Sequence, residues 1–175
     1  MVENKTVVKA EVTEASLLQV NSLLLPVIGT VLLVPQLSVA EVLSSNDLSA
    51  EDVRLDKTPG SPHGYGWVHW RDQNVPLLSF DSIYSGQRPS LDQDLKIVIC
   101  NTVFAATATG FYALVVTGFP RALRLNMDTK MAVEGSMSDL QGVQMRVMID
   151  GEEVLVPDFE FIEQVVCEIA ENKES

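Results

Sequence analysis

The sequence predicts a mainly β fold that ends in a single helix. Short runs rich in Val, Ile, Leu, Phe and Tyr recur along the chain, separated by clusters of Gly, Pro, Ser, Asn and Asp, as in strands joined by turns. Only residues 158–171 carry apolar side chains at repeated intervals of three and four. The chain has 175 residues, 46% of them apolar, and therefore fits one domain or two very small ones that share a core.

The most apolar stretch, LLLPVIGTVLLV at residues 23–34, is predicted to form a buried hairpin. A membrane-spanning helix needs about 20 such residues, and Pro26 and the pair Gly29-Thr30 disfavour any helix here. A Gly-x pair between two β-prone runs fits a two-residue turn with Gly29 at its first central position. Because both faces of each run are apolar, we expect the hairpin in the core.

The other strands fall on either side of a polar loop, YSGQRPSLDQD, at residues 84–94. Two sets of about five strands are expected, and barrels or sandwiches are the natural closures for such sets. We assign about 20–90 to the first set and about 95–157 to the second, allow strands to cross over, and treat 1–18 as a tail. The predicted strands are 20–28, 31–34, 38–43, 65–71, 75–80, 95–104, 110–116, 121–125, 144–149 and 153–156.

Turns and the helix complete the predicted order. DQN is expected to turn the chain after residue 71, and Asp150-Gly151 forms the tip of another hairpin. The segment MDTKMAVEGSMSDLQG, residues 127–142, is interpreted as a polar loop or weak helix. Pro157 stops the last strand, and Asp158 can cap a helix over about 158–172 that seals an open end or seam of the β structure.

Charge excludes several classes of partner. The net charge is −12, with 12 Lys and Arg against 24 Asp and Glu, so phosphate backbones and anionic membrane surfaces would repel the chain. Nucleic acid and anionic membrane surfaces are therefore not expected as partners. Direct membrane insertion is not expected either, since the apolar stretch at residues 23–34 is too short to span a membrane. The N-terminus lacks the features of a signal peptide. Cys100 and Cys167 both lie in apolar runs and are expected to be free, which suits a cytoplasmic protein.

A search for chemistry finds no catalytic, metal or cofactor site. Phosphate-binding glycine loops and a G-x-S-x-G elbow are absent from the sequence. His63 and His69 lack a neighbouring Cys, and nothing orients a Cys100–His69 dyad. One alternative stays open, a small-ligand-binding β barrel or a hydrolase that uses Cys100 or a carboxylate pair. An enclosed polar pocket inside a barrel would favour that alternative, whereas tightly filled barrels would favour a binding protein.

The segment GYGWVHWRDQNVPLLSF, residues 64–80, contains both tryptophans of the chain. The tryptophans are either core residues or, beside Arg71, part of an exposed surface with the composition of a protein-binding hot spot. Composition does not decide between these alternatives. If 65–71 is a strand, its side chains alternate between two faces, with Tyr65, Trp67, His69 and Arg71 on one and Gly66, Val68 and Trp70 on the other.

The same segment resembles the signature of CheW-like domains, adaptors that couple chemoreceptors to the histidine kinase CheA. In that family a G-x-x-x-L-R-G run leads into V-P and further hydrophobic residues. Trp70 stands here in place of the usual leucine, and Asp72 in place of the usual glycine. The residues that match are Gly66, Arg71, Val75 and Pro76.

Further resemblances follow in the same order and extend over about residues 20–172. LSVAEVL resembles the family's strand with a hydrophobic residue and a glutamate two apart, and DVRLDKTPGSP resembles the loop after it. YALVVTGFPRALRL resembles a strand pair of the second barrel, with Thr117 replacing the usual aspartate and Ala113 the usual glycine. MIDGEEVLVPDFEFI resembles the closing hairpin and helix.

The resemblance implies two small SH3-like five-stranded barrels packed side by side, with a C-terminal helix. It also implies a non-catalytic adaptor whose partners are a CheA-type histidine kinase and methyl-accepting chemoreceptor tips, recruited to membrane receptor arrays. The pairs Gly66-Trp67 and Trp70-Arg71 resemble the auxiliary CheW-like proteins of type IV pilus systems more than the principal flagellar coupler.

Site residues carried over by position belong to two groups. The receptor-facing candidates are Val39, Glu41 and Arg71, with Trp70 as an adjacent anchor, and the kinase-facing candidates are Val116, Gly118 and Phe119. We expect Glu41 and Arg71 to form an ion pair. We also expect Arg71→Glu or Trp70→Ala to weaken receptor binding while leaving thermal stability nearly unchanged.

Overall fold

The computed structural model describes residues 19–44, 47–49, 51–55, 64–89, 95–105, 107, 109–134 and 140–173. The predicted tail 1–18, His63, part of the DVRLDKTPGSP segment and part of the 84–94 loop lie outside the described residues. The described elements are a 3₁₀ turn at Gln36–Ser38, the helices α1 (Phe80–Tyr84) and α2 (Phe159–Lys173), and the strands β1 (Val20–Val27), β2 (Thr30–Pro35), β3 (Val39–Leu43), β4 (Val53–Leu55), β5 (Gly64–Trp70), β6 (Gln73–Ser79), β7 (Lys96–Asn101), β8 (Phe111–Val116), β9 (Arg121–Leu125), β10 (Met131–Val133), β11 (Val143–Ile149) and β12 (Glu152–Pro157).

The strands form two six-stranded sheets that each draw on both halves of the chain. Sheet A has the order β10-β11-β12-β2-β1-β9, and sheet B has the order β3-β7-β8-β6-β5-β4. The pairs β12–β2 and β6–β8 are parallel, whereas the other described pairs are antiparallel. Neither sheet therefore coincides with the range 20–90 or 95–157.

Each sheet curls until strands that are distant in its order meet. In sheet B, Glu41 on β3 contacts Trp70 on β5, although β7, β8 and β6 lie between these strands. In sheet A, Arg121 on β9 pairs with both carboxylate oxygens of Glu152 on β12, at 2.8 and 3.0 Å, across β2 and β1. Two small barrels are the result, as the resemblance implied, and we call them barrel A (sheet A) and barrel B (sheet B).

Each barrel has six strands among the described residues, rather than the expected five. The strands that the sequence did not reveal are β4 and β10, which have three residues each. The strand β10 lies inside segment 127–142, so the interpretation of that segment as loop or weak helix is wrong in part. Such short strands carry too few residues for an alternating pattern to be visible.

Apolar side chains divide into three clusters because strand residues alternate between faces. One cluster fills the interior of the barrel formed by sheet A and includes Leu24 and Leu33. A second fills the interior of the barrel formed by sheet B and includes Ile97 and Ile99. The third lies between the sheets. The strands β1, β2, β7 and β8 each contribute to an interior cluster and to the cluster between the sheets, so both of their faces are apolar. The predicted buried hairpin at residues 23–34 is confirmed.

Helix α2 covers the seam between the sheets. Ile162, Val166 and Ile169 pack into the cluster between the sheets, as their spacing predicts. The carboxylate of Asp158 accepts a hydrogen bond from the backbone N–H of Phe161 at 3.0 Å, which confirms the predicted cap. The short helix α1 was not predicted. No helix among the described residues is long and apolar enough to cross a membrane.

Two of the three predicted turns need correction. Val27 pairs with Thr30, so Gly29, with φ of 72°, occupies the second central position of its turn. Trp70 pairs with Gln73, so the turn after β5 is Arg71-Asp72 rather than DQN. A shift of one residue would move Trp70 out of the barrel interior, and burial therefore sets the register. The predicted Asp150-Gly151 turn is confirmed, with φ of 49° and 86°.

Candidate protein-binding site

Three of the predicted receptor-facing residues meet at the mouth of barrel B, and we call Glu41, Trp70 and Arg71 the Glu41 cluster. Oxygen Oε2 of Glu41 accepts hydrogen bonds from Nε1 of Trp70 at 2.9 Å and from Nη2 of Arg71 at 3.0 Å. The Arg71 guanidinium carbon lies 4.5 Å from the Trp70 ring centroid, a cation–π arrangement. The predicted ion pair between Glu41 and Arg71 is confirmed.

A bulge in β3 separates the fourth residue, Val39, from this cluster. Val39 pairs with Cys100 and Glu41 pairs with Ile99, so Ala40 is an extra residue in the strand. In a regular strand, residues two apart share a face. Because of the bulge, Val39 packs on the cluster between the sheets, whereas the carboxylate of Glu41 reaches Trp70 of the cluster inside barrel B.

A second bulge, in β5, changes which side chains of this strand share a face. Gly64 pairs with Leu78 and Gly66 with Leu77, which leaves Tyr65 as the extra residue. Tyr65 therefore joins Val68 and Trp70 inside barrel B, rather than sharing a face with Trp67. Its hydroxyl donates to the carbonyl oxygen of Pro89 at 2.6 Å and ties the loop after α1 to the barrel.

Trp70 is a core residue, and the interpretation as an exposed anchor is wrong for it. Its side chain is only 6% exposed, and Phe111 packs edge-on against the ring with centroids 4.9 Å apart. Glu41 supplies the hydrogen-bond acceptor that a buried indole N–H requires. Trp67 is half-buried against the cluster between the sheets.

Arg71 is the part of the Glu41 cluster that is available to a partner. Its side chain is 68% exposed, and its φ of 47° places it in the turn at the tip of the β5–β6 hairpin. The contacts with Glu41 and Trp70 limit where the guanidinium can lie. The arrangement therefore presents a positioned cation at the surface, and an arginine held in this way is suited to bind a carboxylate on another protein.

The predicted kinase-facing residues differ in accessibility. Val116 is fully buried in the cluster between the sheets, because β8 alternates between two cores. A Cβ atom on Gly118 would lie 3.3 Å from Cγ of Pro26, so this position packs closely on β1. Phe119 is exposed, and its ring centroid lies 4.8 Å from Nζ of Lys96. Of the three, only Phe119 offers a large side chain to a partner.

The structure does not support the hydrolase alternative. Cys100 is buried in the cluster between the sheets, and burial raises the pKa of its thiol to about 12, so the thiolate nucleophile is scarce at neutral pH. His69 lies on the outer surface, in a cleft of about 260 Å³ beside Trp67 and Asn74. No group of three or more His, Cys, Asp or Glu among the described residues could hold a metal ion. Apolar side chains fill the interiors of both barrels.

Two buried carboxylates, those of Asp81 and Glu163, were not predicted from the sequence. Asp81 on α1 accepts a hydrogen bond from the backbone N–H of Ile28 at 2.8 Å, and burial raises its pKa to about 6. Glu163 on α2 is fully buried and accepts hydrogen bonds from successive backbone N–H groups that begin at Val103. The available signal was an acidic residue directly after an apolar one in each core-facing segment, after Phe80 and after Ile162.

Comparison with known proteins supports the resemblance. The CheW-like domain family matches residues 21–165 of the chain. The crystal structure of the scaffolding protein TtCheW from Thermoanaerobacter tengcongensis has a similar fold, with a TM-score of 0.59 and 13% sequence identity over 79% of this chain and 84% of that chain. No curated protein matches the chain.

Proposed function

The chain belongs to the CheW-like domain family, whose members are non-catalytic chemotaxis adaptors, and we propose that it couples methyl-accepting chemoreceptors to a CheA-type histidine kinase. The observation that carries this proposal is the Glu41 cluster. Glu41 belongs to one family motif and Arg71 to another, 30 positions later in the chain. In the structure, Nη2 of Arg71 donates a hydrogen bond to Oε2 of Glu41. Members of the family couple receptors to CheA in general, and the partners of this chain are inferred from that role.

The receptor tip is proposed to bind at Arg71 and the adjoining rim of barrel B. Arg71 provides an exposed cation, and Glu41 and Trp70 hold it from beneath. Val39 is half-buried on the neighbouring face of β3 and provides apolar contact at the junction of the two sheets. Trp70 is assigned a supporting role, since its ring is buried.

The kinase is proposed to bind around Phe119, in the connection between β8 and β9. Phe119 is 68% exposed and offers an aromatic ring, a type of side chain that is enriched at interfaces, whereas Lys96 beside it is buried. The adjacent backbone is fixed, because Thr117 donates from its N–H to the carbonyl oxygen of Pro26 at 2.8 Å. Val116 and Gly118 shape this connection from within and are not proposed as direct contacts.

Membership of the auxiliary branch of type IV pilus systems is a further part of the proposal, supported by the departures from the family pattern. Asp72 has φ of 61°, a conformation that glycine adopts without strain and that Asp and Asn tolerate better than most residues. Asp72 can therefore replace the usual glycine without changing the turn. It adds a negative charge beside Arg71, which would alter the choice of receptor.

A pull-down from a cell extract tests the proposed partners. The wild-type chain is expected to recover a CheA-type kinase and chemoreceptor signalling domains. Arg71→Glu should lose the receptor while Phe119→Asp loses the kinase. Arg124→Glu, a charge reversal of an exposed arginine on barrel A, is the matched control and should retain both. Recovery of neither partner by the wild-type chain would contradict the proposal.

A further inference from the structure

Glu163 is a buried carboxylate that organises a single loop. Its Oε1 accepts a hydrogen bond from the N–H of Val103 at 2.7 Å, and its Oε2 accepts from the N–H groups of Phe104 at 2.7 Å and Ala105 at 2.6 Å. Successive backbone amides that converge on one anion form a nest. Because burying an unpaired charge is costly, these bonds tie the loop after β7 firmly to helix α2.

The loop held in this way exposes apolar side chains. Val103 and Phe104 are 66% and 64% exposed. Leu37, which is also exposed, is held at the same end of β7, because Nδ2 of Asn101 donates to its carbonyl oxygen at 3.0 Å. We call Leu37, Val103 and Phe104 the apolar tip. Single exposed hydrophobic residues are ordinary on protein surfaces, whereas neighbouring exposed apolar side chains are typical of interaction surfaces.

Exposed acidic side chains lie on one side of Glu163 along helix α2. With successive residues about 100° apart on a helix, Glu160 and Glu171 lie within about 80° of Glu163 on the helical wheel. Both are exposed, whereas Glu163 is buried. The chain as a whole has a net charge of −12. An apolar surface with an acidic border complements a segment that is apolar on one face and basic on the other.

We propose that the apolar tip docks a basic amphipathic helical segment of a partner protein. Its apolar residues pack on Val103 and Phe104, and its Lys or Arg residues face Glu160 and Glu171. Glu163 acts as a positioning residue, since it fixes the backbone that presents these side chains. This surface lies outside the Glu41 cluster and away from Phe119, and it does not depend on the identity of the kinase or receptor.

Titration of the isotope-labelled protein with a synthetic helical peptide of Leu and Lys, about 18 residues long, tests the proposal by NMR. Amide shifts should be centred on residues 103–105 and on the exposed face of α2, and they should weaken as salt is added. Phe104→Asp should weaken binding about tenfold or more. Val133→Asp is the matched control, because it changes a similarly exposed apolar residue on β10 of sheet A, and it should bind like the wild type.

Glu163→Gln tests the positioning role separately. This variant should bind the peptide more weakly and show faster hydrogen exchange at the 103–105 amides, although the apolar side chains are unchanged. Peptide binding that survives Phe104→Asp, or shifts spread over the whole acidic surface, would overturn the proposal. Self-association of the protein that Phe104→Asp abolishes would also overturn it, since the occupant would then be a second copy of the chain.

Discussion

Glu41 accepts a hydrogen bond from the indole N–H of Trp70 at 2.9 Å. The two residues lie on β3 and β5, which are not neighbours in sheet B and meet because the sheet closes into a barrel. The same oxygen accepts a hydrogen bond from Arg71, so one carboxylate binds both the buried indole N–H and the exposed guanidinium. The exposed ion pair alone contributes about 0–1 kcal/mol. The bond to the buried indole contributes more, since its loss would leave an unsatisfied donor in the core. The residue proposed to shape the receptor site therefore also closes the barrel.

Glu41 substitutions should separate these two roles. Glu41→Gln retains an acceptor for Trp70 but removes the charge, so it should lower the free energy of unfolding by less than about 1 kcal/mol. Glu41→Ala leaves the Trp70 N–H without its partner and should cost about 1–3 kcal/mol. Urea unfolding of the three proteins measures both effects. Equal losses in the two variants would show that the indole hydrogen bond contributes nothing.

Trp70 and Arg71 should respond differently to substitution, contrary to the expectation from sequence that both leave stability unchanged. Trp70→Ala removes a buried aromatic ring and should cost about 3–5 kcal/mol of unfolding free energy. Arg71→Ala removes an exposed side chain and should cost less than about 1 kcal/mol. Thermal unfolding followed by circular dichroism compares them. If Trp70→Ala were as stable as the wild type, the Trp70 ring could not be part of the core.

Asp81 should make stability fall with rising pH between about 4 and 6. Burial raises the pKa of its carboxyl from 3.8 to about 6, so the folded protein binds this proton more tightly than the unfolded chain does. The stabilisation is complete below the unfolded pKa and is lost as pH rises through the folded pKa. Asp81→Asn can still accept the hydrogen bond from Ile28 and does not ionise.

The Asn variant should therefore be more stable than the wild type above pH 6, by about 1–2 kcal/mol, and should lose this advantage towards pH 4. Urea unfolding of both proteins across that range isolates the contribution of Asp81, because the other groups titrate in both. If the difference in unfolding free energy between the two proteins did not change with pH, the raised pKa could not belong to Asp81.

The two cysteines should differ in reactivity. Cys167 is partly exposed on α2, whereas Cys100 is buried with a pKa of about 12. At pH 8 a colorimetric thiol reagent should therefore modify Cys167 quickly and Cys100 only after unfolding. Cys167→Ser is the control and should show no fast phase. A fast phase that persists in this variant would mean that the thiol of Cys100 is accessible.

Much of the fold follows from local patterns in the sequence. The apolar stretch at residues 23–34 predicts a buried hairpin because both of its faces must be covered, and β1 and β2 each pack into two clusters. The Asp158 cap and the spacing of Ile162 and Val166 predict α2 for equally local reasons. The Asp150-Gly151 turn is likewise predictable, since few residue pairs accept two positive φ values.

What the sequence could not show depends on contacts between distant parts of the chain. The bulges at Ala40 and Tyr65 change which face each side chain occupies, and neither position carries a local signal. Burial of Trp70 depends on the closure of barrel B, which brings Glu41 and Phe111 to its ring. The backbone nest on Glu163 joins residues 58 to 60 positions apart, a distance that periodicity does not reach.

An adaptor must hold a receptor and a kinase at the same time, and this can be measured with purified proteins. Purified protein would be mixed with a helical receptor-tip fragment and with a CheA-type kinase, and analysed by size-exclusion chromatography with light scattering. We expect a complex of all three proteins that loses the receptor fragment in Arg71→Glu and keeps it in Arg124→Glu. Separate elution of the three wild-type proteins would show that this chain does not couple the receptor to the kinase.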